Sequence, residues 1–258
     1  MIHINGLGNM ATFNTILWFW IAISIIIFLL LLKITAPYGR HAKKGWGHLL
    51  PNRAGWVIME IPSLVIPILY LLKYYSQLNQ NPKIIFISLW IFHYFYRSLL
   101  FPFKIHSKRD IPLSIAGMGF FFNTVNSLLN MISITYIKTY SREWITDPRF
   151  LIGFLFFLSG FLLHYSSDSK LINLRKNGET NYRIPEGGMF NLISCPNYLG
   201  EILEWTGWAI ATWSLAGLSF AIWSCANLIP RALAYHRWYN ENFVNYPKER
   251  RAVIPYLV

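Results

Sequence analysis

Asn197, Glu201 and Glu204 are separated by four and three residues, which places an amide and two carboxylates on one face of one helix. The stretch around them is otherwise apolar and rich in Trp, so this polar face must look into protein rather than lipid. Glu60 stands inside a second apolar run, roughly 10 Å from its nearer end at the rise of an α-helix. A carboxyl group at that depth is either neutral, and then a hydrogen-bond donor, or paired with a cation. Tyr94 is another donor in an apolar setting, and Arg97 shares its helix face one turn on. Two donors converging on one ketone oxygen would stabilise an enolate as it forms, and losing such a donor raises a barrier by roughly 3 to 4 kcal/mol. The alternative is a structural ion pair between Glu60 and Arg97, and spacing leaves both readings open. For the Asn197 face the structural alternative is hydrogen bonding to Asn123, Asn126 or Asn130 of another apolar run. Trp205 and Trp208 read as packing or interfacial anchors. Asp168 ends a further apolar run.

The elements that must position these groups follow from composition. The 258 residues are 54% hydrophobic, 17% aromatic and 13% charged, too little polar surface for a soluble domain of this length. The chain reads as an all-α integral membrane protein with seven transmembrane helices in one bundle. The expected spans are Thr12 to Leu32, Ala54 to Leu72, Ile84 to Phe103, Ile111 to Ile137, Phe150 to Tyr165, Tyr198 to Trp213 and Leu218 to Leu233, the fifth and seventh marginal in length. No basic n-region precedes the first, which reads as a retained helix rather than a signal peptide. No repeat or linker divides the chain, so residues 1–258 form one domain.

Lys and Arg fall mostly in the connections after the first, third, fifth and seventh runs or at the inner end of the seventh, among them Arg40, Lys44, Lys104, Arg109, Arg175, Arg183 and Arg231. That bias puts the N-terminus outside and the C-terminus in the cytoplasm. The net charge of +12 is therefore largely one-sided. It serves attraction to anionic lipid, or it binds a polyanionic cofactor through Arg. Nucleic acid is excluded as a partner, because no basic face belongs to a soluble recognition domain. The longest connection, Asp168 to Asn197, carries turn signals at Asn177-Gly178 and Gly187-Gly188. With the Lys33 to Arg53 connection and the tail after Leu233, it would cap the inner mouth of the bundle over a cofactor.

Several motifs carry nothing. Gly6-Leu7-Gly8-Asn9-Met10-Ala11 matches a dinucleotide fingerprint but follows no strand. The seven His show no pair at metal-ligand spacing, and no Gly-x-Ser-x-Gly or Cys-x-x-Cys occurs, so no metal is expected. Cys195 and Cys225 form no framework.

The segment Asn197-Tyr198-Leu199-Gly200-Glu201, with Glu204-Trp205, Gly207 to Ser214, Arg231 to Tyr239 and Tyr246-Pro247-Lys248, closely resembles the C-terminal half of steroid 5α-reductases. Tyr38-Gly39-Arg40-His41, Pro51 to Pro62 around Glu60, His93-Tyr94-Phe95 with Arg97, and Tyr182-Arg183-Ile184-Pro185 with Gly187-Gly188 extend the likeness over nearly the whole chain. The C-terminal block alone is shared with polyprenol reductases, enoyl-CoA reductases and isoprenylcysteine methyltransferases, whereas Glu60 with Tyr94 narrows it to the steroid branch.

The resemblance implies a seven-helix membrane reductase that moves hydride from NADPH to C5 of a 3-oxo-4-ene steroid, with a proton added at C4 and the α product formed. By position, Glu60 and Tyr94 would hold the 3-keto oxygen as the catalytic pair. Asn197 and Glu201 would sit by the nicotinamide. His164, Asp168, Arg175, Tyr182, Arg183, Arg231, Tyr235 and Tyr239 would line the rest of the cofactor, and Tyr38, Gly39 and His41 would close over it. Two positions depart from the family pattern: His164 stands where Asn is common, and Tyr235 where His is usual. The alternatives are a related polyprenol or enoyl-CoA reductase, an S-adenosylmethionine-dependent methyltransferase, and a lipid-binding or transport protein. The partners expected are a steroid-like lipid, NADPH and membrane lipid, with no oligomer required. The membrane would be endoplasmic reticulum in a eukaryote and the inner membrane in a bacterium.

Overall fold

The computed structural model describes residues 10–37, 39–41, 45–78, 81–105, 109–174 and 182–258. Tyr38 and Arg175, both expected at a cofactor, lie outside the described residues. The chain is helical: α1 Met10–Lys33, α2 Asn52–Leu78, α3 Lys83–Phe95, α4 Phe101–Lys104, α5 Leu113–Ile132, α6 Pro148–Asn173, α7 Pro196–Thr212 and α8 Leu215–Asn242. A π-helical turn over Tyr96–Leu100 joins α3 to α4, and another over Ser133–Ile137 extends α5. The expectation of a purely α chain missed one small feature. Leu49–Leu50 (β1) pairs antiparallel with Ile111–Pro112 (β2), tying the first inner connection to the start of α5.

Among the described residues, five helices are long and apolar enough to cross a membrane: Met10–Lys33, Asn52–Leu78, Lys83–Lys104, Leu113–Ile137 and Pro148–Asn173. The lipid-facing character of α1 is plain, with Trp18, Phe19, Ile25, Ile26 and Leu29 all exposed. Two expected boundaries move. The fifth run is not marginal, because α6 continues past Tyr165 to Asn173, so Asp168 sits inside a helix rather than at the start of a loop. The polar residues of that extension are accommodated because His164, Ser167 and Asp168 are buried against protein. The seventh run likewise continues to Asn242, which carries Tyr235 and Tyr239 on helix rather than in a tail.

Two packing devices set the site. Along α6 and α7, glycines recur seven residues apart at 153 and 160 and at 200 and 207. A Cβ on Gly160 would come 2.4 Å from the Glu204 backbone nitrogen, and one on Gly200 would come 2.4 Å from that of His164. The two backbones therefore touch, as small residues permit between apolar helices where hydrophobic burial gives little drive. Between α2 and α3, Pro67 has no N–H to offer the Ser63 carbonyl one turn earlier. The Trp90 indole nitrogen donates to that carbonyl at 2.9 Å instead, pinning α3 beside the turn that holds Glu60.

Candidate active site

Arg97 is the centre of the buried polar chemistry. Its Nε lies 3.6 Å from Glu60 Oε1, its NH1 3.6 Å from Asp168 Oδ2 and its NH2 3.4 Å from Glu201 Oε1. One guanidinium thus faces carboxylates from α2, α6 and α7, with the ring faces of Trp56 and Phe101 4.8 and 4.7 Å from its central carbon. The π-helical turn, which shifts helix register by one residue, contains Arg97. Ser98 in the same turn donates to the Glu60 carbonyl at 3.1 Å, so the turn is tied to α2 at that residue.

Glu60 is held from the opposite side by α5. Asn123 Nδ2 donates to the Met59 carbonyl at 2.7 Å and to Glu60 Oε2 at 3.2 Å. Ser127 donates to Ser63 Oγ at 2.8 Å, and Ser63 in turn donates to Asn123 Oδ1 at 3.0 Å, which orients that amide. Tyr94 is buried within electrostatic reach of Glu60, its ring stacked on Trp205 with centroids 5.8 Å apart and near Trp90 at 5.3 Å. Trp205 also packs on Phe220, with centroids 4.2 Å apart. The Trp pair of α7 is therefore core, walling the polar cluster, and Trp208 donates to Asn130 Oδ1 at 3.0 Å. The fourth-run Asn residues serve Glu60 and Trp208, not the Asn197 face.

That face is answered by α6 and by Arg97. Asn197 Nδ2 donates to Asp168 Oδ1 at 3.1 Å, and Asp168 Oδ2 accepts from His164 Nε2 at 2.9 Å. His164 Nε2 also lies 3.4 Å from Glu201 Oε1. His164 is wholly buried, and both ring nitrogens face carboxylates. Glu204, on the same α7 face, accepts from His93 Nδ1 at 2.8 Å. Arg97, His93 and Glu204 were not among the expected site residues, although the intramembrane charges of Arg97 and Glu204 were a signal for them. His93, His164 and Glu204 present nitrogen and oxygen atoms all within 4.8 Å of one another, from three helices.

A second assembly lies at the ends of α7 and α8. Arg231 Nε donates to Tyr198 Oη at 3.0 Å, and its NH2 donates to Tyr235 Oη at 2.9 Å. The His41 ring stacks on Tyr235, with centroids 5.2 Å apart. Arg40 extends its guanidinium into a cage formed by Tyr182, Tyr235, Trp238 and Tyr239, each ring centre 4.2 to 4.7 Å from its central carbon. It donates to Tyr239 Oη at 3.3 Å, and its NH1 is buried with no hydrogen-bond partner among the described residues. Gly39 takes φ +63, where a side chain would be strained, and its carbonyl accepts from Arg109 at 3.2 Å. Arg183 is exposed beside Tyr182. Burial pushes the Cys195 thiol up to about 12, so it stays protonated at neutral pH and is no nucleophile.

A bundle of long apolar helices enclosing three acids around one arginine, with cations and aromatic rings at one mouth, is the frame of a membrane enzyme. The model of the 3-oxo-5-alpha-steroid 4-dehydrogenase family matches residues 109–258. The chain is 41% identical over 240 residues to 3-oxo-5-alpha-steroid 4-dehydrogenase 1 of Bos taurus, covering 92% of this chain and 93% of that one. It is 40% identical over 226 residues to the Homo sapiens protein of the same name, covering 87% of each chain. To steroid 5-alpha-reductase DET2 of Gossypium hirsutum it is 42% identical over 231 residues, covering 87% of this chain and 89% of that one. The chain belongs to the 3-oxo-5-alpha-steroid 4-dehydrogenase family and is an oxidoreductase. The similarity to these relatives spans both halves of the chain.

Proposed function

We propose that the protein reduces the 4,5 double bond of 3-oxo-4-ene steroids to the 5α products, using NADPH. The observation that carries this reading is the sharing of Arg97. One guanidinium touches Glu60, the acid proposed for the ketone, and Glu201 and Asp168, which with Asn197 are proposed for the nicotinamide end. The two halves of a hydride transfer are thereby held against one another.

The donor set fits such a cofactor. Arg40, Arg183 and Arg231 are suited to phosphate oxygens, the rings of Tyr182, Tyr235 and Tyr239 to flat heterocycles, and the buried NH1 of Arg40 has no hydrogen-bond partner among the described residues. Gly39, His41, Tyr38 and Arg175 complete the proposed cofactor set, and His164 acts in it by orienting Asp168. NADPH, when bound, supplies the hydride that adds at C5. Glu60 and Tyr94 donate hydrogen bonds to the 3-keto oxygen and hold the negative charge that builds there, before C4 is protonated and the ketone re-forms. Asn123 and Arg97 fix the Glu60 carboxyl in place. The walls of Trp90, Trp205 and Phe220 keep water from these hydrogen bonds, which strengthens them.

In this reading α7 and α8 complete seven spans. The N-terminus is outside, the C-terminus is inside, and the cofactor mouth is on the inner side with its cations, in the endoplasmic reticulum or a bacterial inner membrane. The steroid enters from lipid. The test is incubation of purified protein with NADPH and testosterone or progesterone, followed by product identification and stereochemistry at C5. Glu60→Gln and Tyr94→Phe should each lower kcat by roughly 100-fold while NADPH binding persists. Full turnover in both variants would remove these residues from the ketone.

A further inference from the structure

We propose that Ser194 is a positioning residue for cofactor binding: its hydroxyl joins His236 of α8 and Tyr246 of the segment after α8 to the chain just before α7, and so holds the Arg40 cage in register with Asn197. The inference rests on the NADPH reading above. Asn240 Nδ2 donates to the His236 carbonyl at 3.0 Å, which fixes that amide, and the same nitrogen stands 3.0 Å from His236 Nε2. An amide nitrogen has only protons to offer, so Nε2 carries the lone pair and Nδ1 the proton. His236 lies beyond the apolar stretch that ends at Leu233. Partial burial and the Arg251 cation nearby hold it below its ordinary value, so the ring is neutral at pH 7.

Nδ1 therefore donates to Ser194 Oγ at 2.7 Å. Tyr246 Oη lies 2.6 Å from the same oxygen, and the Ser194 hydroxyl donates to the Arg251 carbonyl at 3.1 Å. All three contacts are satisfied together when Tyr246 is a donor, which uses both lone pairs and the one proton of Ser194. Ser194 and Tyr246 are buried, so water does not replace a lost partner. The junction reaches both ends of the proposed cofactor set. On one side, Ser194 N donates to the Arg251 carbonyl at 2.8 Å, Arg251 N to the Leu192 carbonyl at 2.9 Å and Cys195 N to the Ala252 carbonyl at 3.0 Å, which laces the chain before Asn197 and Glu201 to the segment after α8. On the other, the Tyr246 ring lies flat against Tyr239, with centroids 5.2 Å apart and planes 6° from parallel. Tyr239 accepts from Arg40 and forms one wall of its cage.

The test is NADPH titration of full-length protein in detergent, with amide hydrogen exchange of the cofactor-free protein beside it. Ser194→Ala, Tyr246→Phe and His236→Leu should each weaken NADPH binding roughly fivefold, the worth of one buried hydrogen bond. His236→Asn keeps a donor in the place of Nδ1 and should bind like wild type. In a double-mutant cycle Ser194→Ala should add little to Arg40→Leu, because it acts through the cage that Arg40→Leu already empties. Unchanged affinity in Ser194→Ala, full additivity with Arg40→Leu, or His236→Asn as weak as His236→Leu overturns the proposal. If Ser194→Ala fails to fold, Tyr246→Phe, which keeps the stacked ring, takes its place in the cycle. Without cofactor, Ser194→Ala should speed exchange at the Arg251 and Cys195 amides, and His236→Asn should not. Wild-type protein that binds NADPH while the variants bind equally well sinks this proposal alone. Wild-type protein that binds no NADPH sinks the reductase reading and the positioning role with it, and the exchange data then report the junction by itself.

Discussion

The Arg97 cluster and the Arg40 cage both surround one guanidinium, yet they are built in opposite ways. Arg97 meets carboxylates, its partners sit on three apolar helices, and the α6–α7 glycines hold two of those helices in backbone contact. Arg40 meets aromatic rings drawn from the 182 connection and the end of α8, and it reaches them from a short turn between α1 and α2. The first arrangement is fixed by helix packing before any ligand arrives. The second depends on connections folding over a mouth. In the proposed reading, the ketone-holding acid and the groups beside the nicotinamide stand where helices pack in backbone contact, and the groups offered to the rest of the cofactor stand around a mouth lined by connections and the end of α8.

The sharpest way to break the contrast is Gly160→Val. Its side chain would meet the α7 backbone, so the helices must part, and loss of monodisperse folded protein on size-exclusion chromatography is expected, with the Arg40 cage lost only as a consequence. Arg97→Leu leaves the carboxyl groups of Glu60, Asp168 and Glu201 without the guanidinium between them and should destabilise by about 3 to 5 kcal/mol, read as a large fall in Tm together with lost turnover. Retained stability would mean that the cluster is not held by Arg97. Arg40→Leu should lower Tm less than Arg97→Leu does and should weaken NADPH binding about tenfold, measured by titration, a loss of about 1.4 kcal/mol. A large Tm loss instead would make the cage structural, like the cluster.

The smallest effect is expected away from both. Asp147 caps the start of α6, and hydrogen bonds from the Arg149 side chain and backbone hold its carboxyl down at about 2, against an ordinary 3.8. A depressed value stabilises the fold above the unfolded value and is lost as pH falls through the folded one. Asp147→Asn should therefore have a slightly lower Tm than wild type at neutral pH and lack the wild-type decline between about pH 4 and pH 2, so that the two converge at low pH. A decline of equal size in the variant would assign it to other carboxylates.

Part of this was legible in the sequence. Asn197, Glu201 and Glu204 share a face because helical periodicity is a property of the chain itself, and Glu60 stood out because a carboxyl in an apolar run has to be answered by something. What answered it was not legible. Arg97 could be paired with Glu60 by eye, but its reach to Asp168 and Glu201 depends on a π-helical turn and on the closeness of α6 to α7. His93 and His164 are 71 positions apart and share no motif, so their meeting at Glu204 exists only after three helices pack. Asp168 was misplaced for a related reason: polar residues after Tyr165 look like a loop until the neighbouring helix that buries them is known. Arg40 was passed over beside Gly39 and His41, because a cage of rings from remote segments leaves no local pattern.

The π-helical turn at Tyr96–Leu100 also bears on how this segment can change over generations. A π turn holds one more residue than the α-helix it interrupts, and it is what an inserted residue becomes when both ends of a helix are already committed. Removing a residue there would restore an even spiral and swing Arg97 about 100° around the axis, away from all three acids at once. Substitutions in this segment can be graded in their consequences, whereas a change of length would be all or none.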